Sequence, residues 1–396
     1  MNYIDLFAGC GGLSLGLHNA GLKGLFAVEK NEDAFLTLKY NLIDNKNHFS
    51  WPDWLELKNW DINKLIQQHK KNLMDIKGTV DLIVGGPPCQ GFSMAGKRDS
   101  EDLRNKLISA YIEFVRIIEP KALFFENVHG FTVAFSENEN KKGIPYSLKL
   151  ITELNEMGYS VNSSIINMSE YGVPQKRKRF ILFASKGEES QNFFLNLQQG
   201  RESFFNERSL RLPVTIGQAI SDLERVNGEI DSLDTKGFKN GKYSRKKSSY
   251  QKLMRKDLKR GAIPDSHRFA KHKKETEALF KKLMSVSNRS FRVTPSMGVV
   301  ADLKKRGVTP LKKREICPTV TSIPDDFIHY NEPRIMTVRE HARIQSFPDD
   351  YVFKGKYTTG GERRKVDVPR YTQVANAVPP LFAEQVGSAI LKCYNN

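Results

Sequence analysis

One thiol and one carboxyl group stand out in this chain by what surrounds them. Cys89 lies in Gly85-Gly-Pro-Pro-Cys-Gln-Gly-Phe-Ser93, directly after the apolar run Val80-Asp-Leu-Ile-Val84. That run reads as a buried strand. Cys89 therefore falls on a loop at a strand's carboxyl end, where open α/β sheets hold their ligands. Two prolines stiffen the loop, and the glycines allow close approach of backbone and substrate. A single thiol on a rigid loop suits nucleophilic catalysis. A buried structural cysteine in a Pro/Gly turn is the alternative. Glu126 follows a second strand-like run, Ala122-Leu-Phe-Phe125, and opens Glu126-Asn-Val128. A nucleophile at one strand end and an acid at another make a candidate reaction site. The basic stretch Gln175-Lys-Arg-Lys-Arg179 would favour a thiolate if it lay nearby. Alone, it reads equally well as an exposed basic hairpin.

These residues need a scaffold, and the first 185 residues supply its pattern. Apolar runs at 3–7, 24–29, 80–84, 122–126, 159–166 and 179–184 read as strands. Helical spacing fills 12–20, 31–41, 104–118 and 147–157. The alternation predicts an α/β fold with a mostly parallel sheet covered by helices, its last two strands forming an antiparallel hairpin. After the first strand comes Gly9-Cys-Gly11-Gly12, ahead of a helix whose N-terminus favours an anionic group. Ser14 stands where a dinucleotide fingerprint needs glycine. Glu29 ends the second strand, where an acid commonly bonds ribose hydroxyls; an exposed Glu before a helix is the plain alternative. The residues themselves say only that a nucleoside with an anionic tail would fit.

Charge is distributed unevenly. The net charge is +17 over 396 residues. Between Lys239 and Arg314 there are 24 Lys/Arg against 5 Asp/Glu, while the rest of the chain is near neutral. A surplus confined to one segment points to a polyanion. Residues 187–330 are polar and weakly periodic; helical spacing over 250–284 is broken at Gly261 and Pro264. A helix start is expected at Thr337, with Arg339 and Glu340 in its first turn. Four cysteines without a C-x-x-C pair exclude a zinc site and a disulfide framework. No signal-peptide layout and no apolar run long enough to span a membrane is found. A reduced Cys89 fits a cytoplasmic setting.

Taken in order, the motifs resemble those of the C5-cytosine-specific DNA methyltransferases of bacterial restriction–modification systems. Asp5-Leu-Phe-Ala-Gly-Cys-Gly-Gly-Leu13 is similar to the first cofactor motif, and Pro-Cys-Gln followed by Glu-Asn-Val to the catalytic pair. Arg104-Asn105 with Leu107, Gln175-Lys-Arg-Lys-Arg179, Arg339-Glu340 through Gln345-Ser-Phe-Pro-Asp349, and Tyr371-Thr-Gln-Val-Ala-Asn376 with Val378 continue the series. The resemblance covers about 1–185 and 331–390.

It implies a Rossmann-like S-adenosyl-L-methionine-dependent sheet with a smaller, basic target-recognition domain. The implied division is 1–186 for catalysis and cofactor, 187–330 for recognition, and 331–396 returning to the catalytic domain. Cys89 would be the nucleophile, with Glu126, Arg177 and Arg179 completing the catalytic set. Phe7, Gly9, Gly11, Glu29, Asp61, Ile62, Pro88, Leu107 and Asn376 match cofactor positions. Ala375 stands where the family usually has glycine. Gln90, Ser93, Arg98 and Gln175, with Lys246 and Lys247 from the basic segment, are candidate DNA contacts. The implied partners are double-stranded DNA and a cognate endonuclease on a separate chain, with the enzyme itself a monomer.

Other readings fit less well. Amino-methyltransferases carry an aromatic residue where Cys89 stands. Zinc deaminases need H-x-E and P-C-x-x-C, which are absent. A relative acting on transfer RNA would have a shorter recognition region. A regulator with a dead site would not keep Cys89, Glu126 and Arg179 together.

Overall fold

The computed structural model describes residues 1–88, 103–134, 136–138, 141–286, 288–298, 307–359, 363 and 367–394. By compactness the chain divides into two units. The first comprises Met1–Asn167, Lys178–Glu202 and Phe382–Asn396; the second comprises Met168–Arg177 and Ser203–Leu381. These limits differ from divisions at 186 and 330. Helix Glu189–Glu207 lies mostly in the first unit, and residues 331–381 belong to the second.

The first unit is built on a six-stranded sheet. Its strands are β1 (Asn2–Leu6), β2 (Lys23–Val28), β3 (Leu82–Gly85), β4 (Ala122–Val128), β5 (Ser160–Asn167) and β6 (Lys178–Ser185). The order is β2-β1-β3-β4-β6-β5. The first four strands are parallel; β6 runs antiparallel to both β4 and β5. Strands β1 and β3 are buried along almost their whole length, because central parallel strands are covered on both faces. The order steps outward in opposite directions from β1, to β2 on one side and β3 on the other. That makes the carboxyl ends of β1 and β3 a topological switch point, the usual place for a ligand.

Helices α1 (Gly12–Asn19), α2 (Glu32–Leu38), α3 (Ile62–Asp75), α4 (Leu103–Ile118) and α5 (Tyr146–Glu156) flank the sheet. Helix α3 goes beyond the sequence expectation. Its buried residues Ile62, Leu65, Ile66 and Leu73 fall on one face at helical spacing, a signal present in the sequence. The last helix, Pro380–Tyr394, packs on α1. A side chain at Gly387 would meet the Cβ of Ala20 at 2.6 Å and Leu17 at 3.2 Å.

The second unit has little regular structure and a charged interior. Its apolar core gathers Ile216, Ile220, Tyr250, Leu311, Phe327, Met336 and Ile344. The expected helix at Thr337 is present as Val338–Ile344, closed by a reciprocal cap between Thr337 and Glu340. Ser249–Met254 and Lys274–Ser285 are helical, on either side of the break at Gly261 and Pro264. Arg343 is fully buried. It donates to Asp222 at 3.0 and 3.1 Å, to Asp349 at 2.5 and 2.6 Å, and to the carbonyl of Ala219 at 2.7 Å. Arg334 bridges Glu340 and Glu332 in the same way.

Candidate active site

At the end of β1 the chain enters a left-handed turn. Phe7 (φ 58°), Gly9 (φ 56°) and Gly11 (φ 86°) all take positive φ. For Phe7 such a conformation costs energy and marks a constrained turn. A Cβ at Gly9 would meet nothing within 4 Å, so open space lies over this turn. Gly11 is the N-cap of α1, whose first turn carries no acid. Beneath the turn, Ser14 donates to Asp5 at 2.5 Å, and the other oxygen of Asp5 has no hydrogen-bond partner among the described residues. Burial pushes the Asp5 carboxyl up to about 7.

Glu29 closes the turn from the end of β2. Its carboxylate accepts from Gly9 N at 2.9 Å and Asn31 N at 2.7 Å. Burial raises its pKa, opposed by these backbone donors. The carbonyl of Glu29 accepts from Trp60 N at 2.8 Å, which brings Asp61 and Ile62 to the same end of the sheet. Asp61 caps α3 through Asn63 N (3.0 Å) and Lys64 N (3.4 Å). It also pairs with Lys30 at 3.0 Å. Burial alone would raise its pKa; Lys30 and the cap bonds outweigh it and hold the carboxyl low. Ile62 is buried, Pro88 exposed, and Leu107 half-buried on α4. An acid, an open glycine turn and a neighbouring acid–apolar pair suit a nucleoside ligand.

The second half of the site grows from β3 and β4. Gly85 (φ 115°) has no room for a side chain, since a Cβ would lie 1.9 Å from the carbonyl oxygen of Leu6. A Cβ on Gly86 would lie 2.1 Å from that of Glu126. The strand ends are thus clamped together by their glycines. Asn127, which the sequence reading gave no role, donates to the carbonyl of Pro87 at 3.1 Å and accepts from Val128 N at 2.9 Å. It ties β4 to the loop that leads to Cys89. Its position right after the acid was the available signal.

Glu126 pairs directly with Ile181 across the sheet, and Val128 with Arg179. Arg179 is therefore the diagonal neighbour of Glu126 on one face. Its Nε sits 3.1 Å from Glu126 Oε1, both side chains being about 14 % exposed. The pair lacks hydrogen-bond geometry, leaving Oε1 without such a bond among the described residues. Cys89, Gln90, Ser93 and Arg98 lie outside the described residues. Burial pushes the thiols of Cys10 and Cys317 up, keeping both protonated.

The remaining candidates are in the second unit. Gln175 is fully buried. Its amide contacts the carbonyl of Ile344 at 3.2 Å and Gln345, and its oxygen accepts from Val320 N at 3.2 Å. Its polar groups brace the interior rather than face solvent. Arg177 is also buried and donates to the carbonyls of Ala375 (3.1 Å) and Ala377 (3.3 Å), so it grips the chain on both sides of Asn376. Asn376 itself is exposed. The methyl group of Ala375 belongs to the apolar core, in helix Arg370–Asn376, where no glycine-only conformation is needed. Lys246 and Lys247 are exposed.

Comparison with known proteins gives the family. The chain is 32 % identical to the type II methyltransferase M.DdeI of Desulfomicrobium norvegicum, over all of this chain and 90 % of that one. It is 30 % identical to M1.HphI of Haemophilus parahaemolyticus, over 100 % and 88 %. Among solved structures it resembles a DNA modification methyltransferase encoded within an Escherichia coli prophage (TM-score 0.65, 25 % identity, both chains fully covered). The fold is shared with the Schizosaccharomyces pombe Dnmt2 methyltransferase (TM-score 0.54, 16 % identity, both chains fully covered). The profile of the C-5 cytosine-specific DNA methylases matches residues 1–392. The chain belongs to that family, and it is a DNA (cytosine-5-)-methyltransferase.

Proposed function

We propose that this enzyme methylates C5 of a cytosine flipped out of double-stranded DNA, through a transient covalent bond to Cys89, with S-adenosyl-L-methionine as donor. The observation that carries the reading is the Glu126–Arg179 pair beside the Asn127–Pro87 tether. Cytosine C5 is a poor nucleophile. Addition of the Cys89 thiolate to C6 makes C5 enamine-like, because the C5–C6 π pair moves to C4–C5 and displaces the C4–N3 pair onto N3. Glu126 hydrogen-bonds N3 and the exocyclic amine and stabilises the charge that develops on the ring. Arg179 holds Glu126 and reaches the O2 edge. Once C5 has taken the methyl group, a base, with water as a candidate, removes the C5 proton, and Cys89 leaves by β-elimination. Gln90, Ser93 and Arg98 belong to the loop that would cover the extruded base.

The donor supplies an electrophilic methyl group. Phe7, Gly9, Gly11, Glu29, Asp61, Ile62, Pro88 and Leu107 would hold it, Glu29 toward the ribose and the α1 N-terminus toward the carboxylate. Residues 187–330 would carry target recognition. The names of the relatives support a restriction–modification role, protecting host DNA from an endonuclease on another chain.

Radiolabelled methyl transfer to DNA and to RNA tests the substrate. Cys89→Ser should abolish transfer with DNA binding kept; turnover within tenfold of the parent would exclude the nucleophile. A duplex with 5-fluorocytosine in the target should trap a denaturation-resistant adduct mapping to Cys89. Glu126→Gln should lower turnover by about 10²–10³, with little change in cofactor affinity.

A further inference from the structure

The second unit contains a cleft of about 470 Å³ to which no step above assigns a role. Lys242, Lys246, Lys259 and Arg260 line it, around Tyr243 and Arg255. Two stretches of chain bring these cations together: the segment entering helix Ser249–Met254, and the loop leaving it, which turns at Gly261 (φ 79°). Arg255 is fixed. It donates to Asp222 at 2.9 Å and to the carbonyl of Ser244 at 2.8 Å, and stacks 4.1 Å from the ring centre of Tyr243. Its Nε–H has no hydrogen-bond partner among the described residues.

The other four cations have no carboxylate partner among the described residues, whereas acids nearby in sequence are engaged elsewhere. Asp257 lies 3.9 Å from Lys256, and Asp231 2.7 Å from Lys239. Lysines on a convex face are simply solvated. Four that converge on a cleft repel one another unless an anion joins them. Lys and Arg side chains are donors without acceptor capacity. This set matches phosphate oxygens, which only accept, better than a base edge, which offers donors too. Ile230 and Ile263 give the cleft an apolar side, and Ile263 is 42 % exposed. A sugar attached to the phosphate would cover it.

We propose that this cleft seats one phosphate of the DNA backbone, with the adjoining deoxyribose against Ile230 and Ile263. The assignment rests on the DNA reading above and adds a defined contact to it. It also separates Lys246, which lines the cleft, from Lys247, which does not.

The test uses the full-length chain with Lys246→Gln, Lys259→Gln and Arg260→Gln combined, all at exposed positions. DNA affinity should fall by about tenfold at low salt, as for loss of charge-assisted hydrogen bonds. The slope of log K against log salt should fall by about 0.9, the value for one phosphate. The methylated sequence should not change, and Lys247→Gln should leave the slope as it was. Methylphosphonate linkages walked along the duplex should reveal one position that weakens the parent and not the triple variant.

A slope change near 2.7, about 0.9 for each of three separate phosphates, would overturn the proposal. So would an unchanged slope, an equal effect of Lys247→Gln, or the absence of any such linkage position. Inorganic phosphate binding, lost in the variant while DNA binding is unaffected, would assign the cleft to a small phosphorylated ligand and overturn it too. A parent enzyme that methylates no DNA would instead sink the functional reading.

Discussion

Phe125 and Arg343 are both fully buried, and each lies in the interior of its unit, yet they hold those interiors in different ways. Phe125 packs edge-on against Tyr111 at 5.4 Å and tilted against Phe131 at 5.3 Å. Any apolar group of similar volume could fill much of that space. Arg343 joins two buried carboxylates and a carbonyl in one set of directed hydrogen bonds. The first unit is assembled from interchangeable apolar contacts on a regular sheet. The second is assembled from specific pairings, which tolerate irregular backbone but not the loss of one member.

The sharpest way to break this contrast is to remove the two side chains. Arg343→Ala should cost about 3–5 kcal/mol, because among the described residues buried Asp349 would keep only Arg339 as a cation nearby, at 3.9 Å, and Asp222 would be left to Arg255 alone. Hydrogen exchange should accelerate in peptides from 203–381. Phe125→Ala should cost a comparable 3–5 kcal/mol through its cavity, with the acceleration in β3, β4 and β6. Equal protection in the Arg343 variant and the parent would show that the ion network is not needed for the second unit.

Acid should separate the units next. In the second, burial depresses His267 to about 4 and His329 to about 3. A base with a depressed folded pKa gives stability that is present above its unfolded value near 6.5 and is lost as pH falls toward the folded one. Asp349 adds to this: burial opposes it, but Arg343 wins and holds its carboxyl low. Its contribution is likewise lost in acid. Asp5 in the first unit has the opposite sign. An acid raised to about 7 favours folding below its unfolded pKa and loses that contribution as pH climbs from about 4 to 7. Exchange protection should therefore weaken in the second unit from pH 7 down to 5. Around β1, Asp5 opposes His48, which bonds Tyr3 at 2.7 Å and is depressed by burial to about 3, so the loss there should be smaller. Asp5→Asn should remove the opposing share of the β1 dependence, leaving that of His48, and stabilise that unit by on the order of 2 kcal/mol at pH 8. A β1 region that titrates identically in the variant would mean that Asp5 is charged. Smallest of all, Thr337→Ala should cost about 1 kcal/mol through its cap, visible as faster exchange at the start of helix Val338–Ile344.

The same contrast decides what was legible beforehand. All six strands of the first unit were located in the sequence, although β5 mixes polar and apolar residues with none buried, and the antiparallel last pair follows from their closeness in sequence. Helix α3 was missed although Ile62, Leu65, Ile66 and Leu73 repeat at helical spacing. In the second unit, Asp222 and Arg343 stand 121 residues apart, and nothing local in either neighbourhood foretells their pairing. The site divides similarly. Glu126, Arg179, Gly9 and Glu29 were identified by motif, and strand register explains why the first two meet. Arg177, placed in the catalytic set, and Gln175, a candidate DNA contact, were recognised as motif members, and burial gives both interior partners. A motif preserves a residue type without saying which side of the backbone it serves.

One consequence concerns modularity. Arg177 belongs to one compact unit and Lys178 to the other, so the boundary falls inside a single basic motif. The second unit is consequently not a cassette bounded by two cuts. Its decapeptide Met168–Arg177 carries Gln175 and Arg177, whose acceptors lie at 344–345 and 375–377. A chimera made by exchanging only 187–330 would pair a donor's insert with a host's brace. To transplant this unit intact, 168–177 and 203–381 have to travel together, and the spacing between the two arginines has to be inherited with them.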